Sequence, residues 1–416
     1  MTNIKFNLFK KFLNSNSFVY LFFLIYLVIG LTIYADYGIS TDEPFNRMNG
    51  LISLKYVIDK LALPIDLSHL SIEIPDFKSY SVSSNKINII YGVIFDLPLA
   101  LIEVLFNIQD TRDIYLVKHL INFIVFFVSI IFFYLLINYH FKNNFLSIIG
   151  VLILILSPRI FAQSFYNPKD IIFLSLMVFA TFFNLKLLNY NGIKFIILAT
   201  LFAALASGVR VVGCYLPFLT IIFYFLNYDK KKHKLSEIKF LFIYFFLFFI
   251  FLFLSWPYLW ENPLLNFINS FKLIGNLDYP MHTLYLGEFV NAKYIPWHYF
   301  FVWFFISTPP FFLFLILLGI YLFMKNFLQN FLSIDPKNNV LLWKNDIERV
   351  ELFIFLLIII PIFTTILFGS TLYNGWRHLY FIYPFMIFIS IKGILFLYDF
   401  SKNHLRKIFN LLIIFQ

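Results

Sequence analysis

Two adjacent acids, Asp42 and Glu43, follow directly on the first long apolar run, in the stretch Ile39-Ser40-Thr41-Asp42-Glu43-Pro44. An ionised carboxylate near a hydroxyl is a competent general base, and anchoring a chain at a membrane surface does not need two of them. Three more polar stretches stand between apolar runs. The first runs from Ser157 to Asp170 and contains Arg159, Lys169 and Asp170. The second opens Trp256-Pro257-Tyr258-Leu259-Trp260-Glu261, and the third is Tyr373-Asn374-Gly375-Trp376-Arg377-His378. Carboxylates, an arginine–lysine set and stacking aromatics suit a sugar joined to a phosphate: acids work on hydroxyls, guanidinium groups hold phosphate oxygens, and aromatic rings face the sugar.

Each stretch also has a plainer reading. Ser40 to Pro44 is a helix start, with a capping oxygen and an early proline, and Asp170 after Asn167-Pro168 favours a helix dipole. Arg377 and His378, like Lys86 and Arg159, could reach lipid headgroups from a membrane boundary. Arg210 stands between two short apolar runs beside Gly208, where it pairs with a buried acid such as Asp96 or caps a re-entrant turn. Trp256, Trp297 and Trp303 read as interface anchors.

The elements that must position these residues are membrane helices. The 416 residues are 61% hydrophobic and 22% aromatic, with 60 phenylalanines and only 13% charged side chains, and the mean hydropathy is +0.83. A water-soluble domain could not bury this much apolar surface. The net charge of +10 reflects lysines on cytoplasmic loops beside anionic headgroups; nucleic acid is not an expected partner. Cys214 is the single cysteine, so intramolecular disulfides and cysteine-based metal sites are excluded. The histidines lack ligand spacing, so no tightly held metal is expected, and no glycine-rich phosphate loop supports direct use of a nucleotide.

Apolar runs long enough for a crossing are expected at Phe18–Ala35, Leu120–Asn138, Phe145–Leu156, Ile171–Leu188, Phe195–Ala206, Val211–Leu226, Phe240–Ser255, Phe300–Met324, Leu352–Phe368 and Leu379–Tyr398. The fold expected is a single all-α polytopic membrane domain with about ten to eleven spans. Asn46 to Leu61 has helical spacing, and Ile87 to Phe106, carrying Asp96 and Glu103, reads as a helix along the membrane surface. Lysines at Lys5, Lys10, Lys11 and Lys142, and above all Lys230, Lys231, Lys232 and Lys234, mark the cytoplasmic side. Segments 36–118, 157–170, 256–299 and 369–378 then face outward. Ile408 to Gln416 is too short to span, so the chain there ends at the interface or is truncated.

The acidic pair after the first span, with Arg47 behind it, and Asn167-Pro168-Lys169-Asp170 opening a later helix carry a resemblance. Their order and side resemble the GT-C class of integral-membrane glycosyltransferases, specifically glycosyltransferase family 39 with its aminoarabinose and protein O-mannosyl transferases, over about residues 15–400. The resemblance implies an inverting transfer of a sugar from a polyprenyl phosphate to an acceptor, at the outer face of a bacterial inner membrane. It implies Asp42 as base, Glu43 orienting the acceptor or holding a divalent ion, and Asp170 as a further site acid. Arg377, His378, Lys169, Arg159 and Lys86 would bind phosphate, and Trp376, Tyr258 and Trp260 would face the sugar or the lipid. The His-containing third-loop motif of eukaryotic O-mannosyltransferases is missing, which puts a protein acceptor in question.

A carrier or flippase for lipid-linked sugars is the main rival. It would place its ionisable groups near mid-bilayer on interrupted helices, whereas here they gather in loops. A non-enzymatic scaffold would need none of the loop carboxylates.

Overall fold

The computed structural model describes residues 15–70, 72–77, 90–190, 192–226, 237–275, 281–332 and 342–404. Lys86, the Lys230–Lys234 cluster and Ile408–Gln416 lie outside them. The described chain is an all-α polytopic membrane protein of fifteen α-helices, with one two-stranded hairpin (β1, His282–Tyr285; β2, Glu288–Asn291).

Six helices are long and apolar enough to cross a membrane. They are α1 (Asn16–Ile33), α4 (Thr111–Phe141), α7 (Asp170–Tyr190), α13 (Pro310–Leu332), α14 (Asp346–Leu367) and α15 (Tyr383–His404). Local chemistry sets their starts. Ser15 Oγ accepts from Phe18 N at the head of α1, Asp110 from Arg112 N at α4 and Asn345 from Glu348 N at α14, each side chain taking an N–H that the helix leaves unpaired.

Prolines modify two of the expected spans. Phe145–Leu156 falls on α5 (Asn144–Ile155), which bends by 72° into α6 (Pro158–Tyr166). Phe300–Met324 divides at Thr308 into α12 (Tyr299–Ser307) and α13. In both places the residue before proline leaves the helical region, as the proline ring demands: Ser157 and Thr308 are extended. Three shorter apolar helices, α8 (Ile193–Val209), α9 (Tyr215–Leu226) and α10 (Glu237–Ser255), correspond to the remaining expected spans.

Helix α7 is the axis of the bundle. It packs on α4, on α8 and on the 3₁₀ turn Arg377–Ile382 that precedes α15, and most of its side chains are buried. Helices α1 and α13 turn most of their residues outward, including Tyr20, Leu24, Val28, Leu317 and Tyr321, the surface that lipid covers.

The segment between α1 and α4 contributes two further helices, α2 (Glu43–Leu61) and α3 (Asp96–Leu105), packed on each other. Gly50 permits that contact: a Cβ there would lie 2.5 Å from the carbonyl oxygen of Asp96. A short amphipathic helix α11 (Pro263–Gly275) leaves Leu264, Leu265 and Ile268 exposed.

Candidate active site

The acidic stretch is fixed by neighbours remote in sequence. Tyr37 stacks on Phe165 with ring centres 4.6 Å apart, and Ser40 Oγ donates to the carbonyl of Tyr166 at the end of α6. Asp42 occupies the N-cap position of α2, yet its side chain caps no backbone N–H. Its Oδ2 instead accepts from Arg377 Nη1 at 2.7 Å, across 335 residues of chain, and its side chain stays 47% exposed. The simple capping reading of Asp42 therefore does not hold.

Glu43 takes the local task. Its Oε2 accepts from Ser40 N at 2.6 Å, as in a capping box, and its Oε1 bonds His119 Nε2 at 2.9 Å on α4. Both oxygens are engaged and the side chain is buried. Glu43, expected to orient the acceptor or hold a divalent ion, thus ties the start of α2 to α4. Among the described residues no group of three His, Cys, Asp or Glu side chains could hold a metal ion.

Asn167 builds the head of α7. Its Oδ1 accepts from Asp170 N at 2.8 Å and Lys169 N at 3.2 Å, and its Nδ2 donates to Asp170 Oδ2 at 3.0 Å. Asp170 is buried and pairs with Arg210. Arg377 Nε lies 3.7 Å from its other oxygen, an ion-pair distance too long for a hydrogen bond. Asp170 therefore holds two arginines in place from beneath. Asp170, expected among the site acids, lies within the ion cluster with its side chain 3% exposed.

The last loop closes the site. Asn374 and Gly375 lie at φ 56° and 74°, two left-handed residues in a row, which folds the chain back so that Arg377 returns over Asp170. Arg377 lies over the Tyr373 ring at 4.8 Å, and His378 meets that ring edge-on at 4.7 Å. Arg159 lies over Trp303 at 5.3 Å, and its Nη1 fills the space where a Cβ on Gly375 would be. Arg159 thus supports the turn that carries Arg377.

Lys169 lies half-buried over the Tyr91 ring, 3.0 Å from its centre. Burial, reinforced by the nearby Arg210 cation, pulls its ammonium down to about 7 against the opposing pull of Asp170, Asp42 and Asp96. Asp42, Asp170, Arg210, Arg377 and Lys169 therefore share one neighbourhood at the ends of α2, α7, α8 and α15. Two arginines and the Lys169 amine lie there beside the Asp42 and Asp170 carboxylates, with Asp96 in electrostatic range of Lys169.

The aromatic expectations fare differently. Trp376 is buried, donates from Nε1 to Ser307 Oγ at 2.7 Å and packs edge-on against Phe304 and Tyr380, so it anchors the loop and offers no face to a sugar. Trp260 lies beside Tyr56 on α2, about 20 Å along the helix from Asp42 at ~1.5 Å per residue. Tyr258 packs against the Ile52–Phe77 cluster, and neither ring meets the ion cluster. Trp256 is fully buried rather than interfacial; Trp297 is exposed. Arg210 was legible as an anomaly at a break between apolar runs, but its partner is Asp170, on a helix that no local pattern connects to it. Compared with known protein families, with curated proteins and with solved structures, the chain finds no match in any of the three.

Proposed function

We propose that this protein is an inverting glycosyltransferase of the bacterial inner membrane, moving a sugar from a polyprenyl-phosphate donor to a hydroxyl acceptor at the outer face. One observation carries the reading: Asp42, Asp170 and Arg377, from three distant loops, meet at one end of the bundle with Asp42 half exposed. The acceptor oxygen attacks the anomeric carbon, the bond from that carbon to the phosphate oxygen breaks, and polyprenyl phosphate leaves. Asp42 takes the acceptor's proton. Arg377, helped by Lys169, receives the charge gathering on the phosphate. The resting Arg377–Asp42 pair gives the two roles a physical link. A donor phosphate drawing the guanidinium to itself releases the Asp42 carboxylate to act as base.

The test is to supply the purified protein in nanodiscs with polyprenyl-phosphate sugars and candidate acceptors, and to follow transfer by mass spectrometry. Product with wild type, absent in Asp42→Asn of equal thermal stability, supports the enzyme. Movement of intact lipid-linked sugar across the bilayer without bond cleavage would replace it with a flippase.

A further inference from the structure

Beside the ion cluster, the head of α2, the segment before α3 and the residues before α7 enclose a small cavity. Asn46, Asn49, Tyr91, Asp96 and Lys169 line it. Asn46 and Asn49 are one helical turn apart, so both point from the same face of α2. Gly92 locks the opposite wall: its N–H donates to the carbonyl of Gly208 at 2.8 Å, and a Cβ there would clash with that same carbonyl. The volume of about 10 Å³ matches the space for one oxygen-sized group.

Three polar atoms of this lining, Asn46 Nδ2, Asn49 Oδ1 and Asp96 Oδ1, are buried without a hydrogen-bond partner among the described residues. Asn49 is 4% exposed. Unpaired buried polar atoms are costly, and here they converge on one space, two acceptors and a donor. With the Lys169 ammonium on the same lining as a second donor, Asn46 and Lys169 supply the two hydrogen bonds that a hydroxyl oxygen accepts, and Asp96 or Asn49 takes the one it gives.

We propose that this cavity recognises one hydroxyl group of the transferred sugar. The proposal rests on the glycosyl-transfer reading and names how that same site selects its donor. The hydroxyl donates to Asp96 Oδ1 and accepts from Asn46 Nδ2 and the Lys169 ammonium. Lys169 belongs to both regions, within electrostatic range of Asp42 and Asp170 on one side and of Asp96 on the other, so phosphate and sugar are read from adjoining places.

The experiment measures binding of polyprenyl-phosphate glucose and mannose, their single-position deoxy analogues and bare polyprenyl phosphate to the full protein in nanodiscs. One deoxy position should bind roughly 10- to 100-fold more weakly than its parent. That discrimination should collapse in Asp96→Asn and in Asn46→Ala, the second serving if the first unfolds. Bare polyprenyl phosphate should bind both variants as it binds wild type. Equal binding of every deoxy donor, or discrimination unchanged in both variants, means that the cavity holds a structural water only. Transfer activity surviving that result would leave the enzyme reading intact and overturn this inference alone. Glycosylated and bare lipid binding alike, with no transfer, would end both.

Discussion

Helix α4 carries a buried ionic group near each end, and the two differ in kind. Near its start His119 meets Glu43, beside the Asp42–Arg377–Asp170–Arg210 cluster; near its end His140 Nε2 lies 3.3 Å from Glu351, which also accepts from Lys392 Nζ at 2.6 Å. His119 and His140 are about 30 Å apart at ~1.5 Å per residue, close to the hydrocarbon thickness of a bilayer. At the His140 end all three partners come from the bodies of α4, α14 and α15, and the carboxylate is spent on two helical neighbours. At the Asp42 end the groups come from loops and helix heads, and one acid remains half exposed. Burial and pairing are common to both. What distinguishes the Asp42 end is unspent capacity, an exposed carboxylate oxygen.

The comparison can be broken at its strongest point first. Asp42→Asn should lower sugar transfer by roughly 10²- to 10⁴-fold with the melting temperature unchanged, whereas Glu351→Gln should lower the melting temperature and leave transfer by the remaining folded protein near wild type. Parallel activity and thermal-unfolding measurements decide, and the contrast collapses if Glu351→Gln is as inactive as Asp42→Asn. Asp170→Asn removes the carboxylate that pairs with Arg210 while Arg377 keeps Asp42, so both readouts should fall, stability by about 3–5 kcal/mol. Arg377→Lys keeps the charge but loses the planar fork, so donor binding should weaken by roughly tenfold or more; titration with bare polyprenyl phosphate measures this.

The smallest effect expected is a pH dependence. Lys169 is charged below about 7 and loses its proton above it, so phosphate binding should weaken as pH rises from 6 to 8, and Lys169→Met should flatten the profile. The stability sign is opposite. From about 7 up to the ordinary lysine range the folded chain binds fewer protons than the unfolded one, so stability rises with pH there. The penalty for burying the ammonium is fully present below 7, and Lys169→Met should gain most in melting temperature under those conditions.

Most span positions were legible because apolar length is local, but Phe300–Met324, expected as one crossing, divides at Thr308 into α12 and α13. The start of α2 one turn before the periodic stretch Asn46–Leu61, and the Asn167 cap before Asp170, follow from neighbours within three or four residues. Trp376 was not legible in this way. A tryptophan in a polar turn has the same sequence neighbours whether it faces a ligand or a core, and only the packing of Phe304, Tyr380 and Tyr383 turned it inward. Asp42 and Glu43 are harder still, since two adjacent carboxylates take different partners: the second bonds Ser40 N and His119, and the first reaches across the bundle to Arg377.

By itself, the sequence determined a helical membrane protein, with its crossings and its clusters of acids, cations and aromatics between them, because hydrophobic length and capping act over a few residues. The tertiary structure decided which charges meet. The pairing of Asp42 with Arg377, of Asp170 with Arg210, and of Asn46 and Asn49 with Asp96 around one small space depends on how helices distant in the chain settle against one another. An ion pair or a cavity forms only once that packing has brought its walls within a few ångströms.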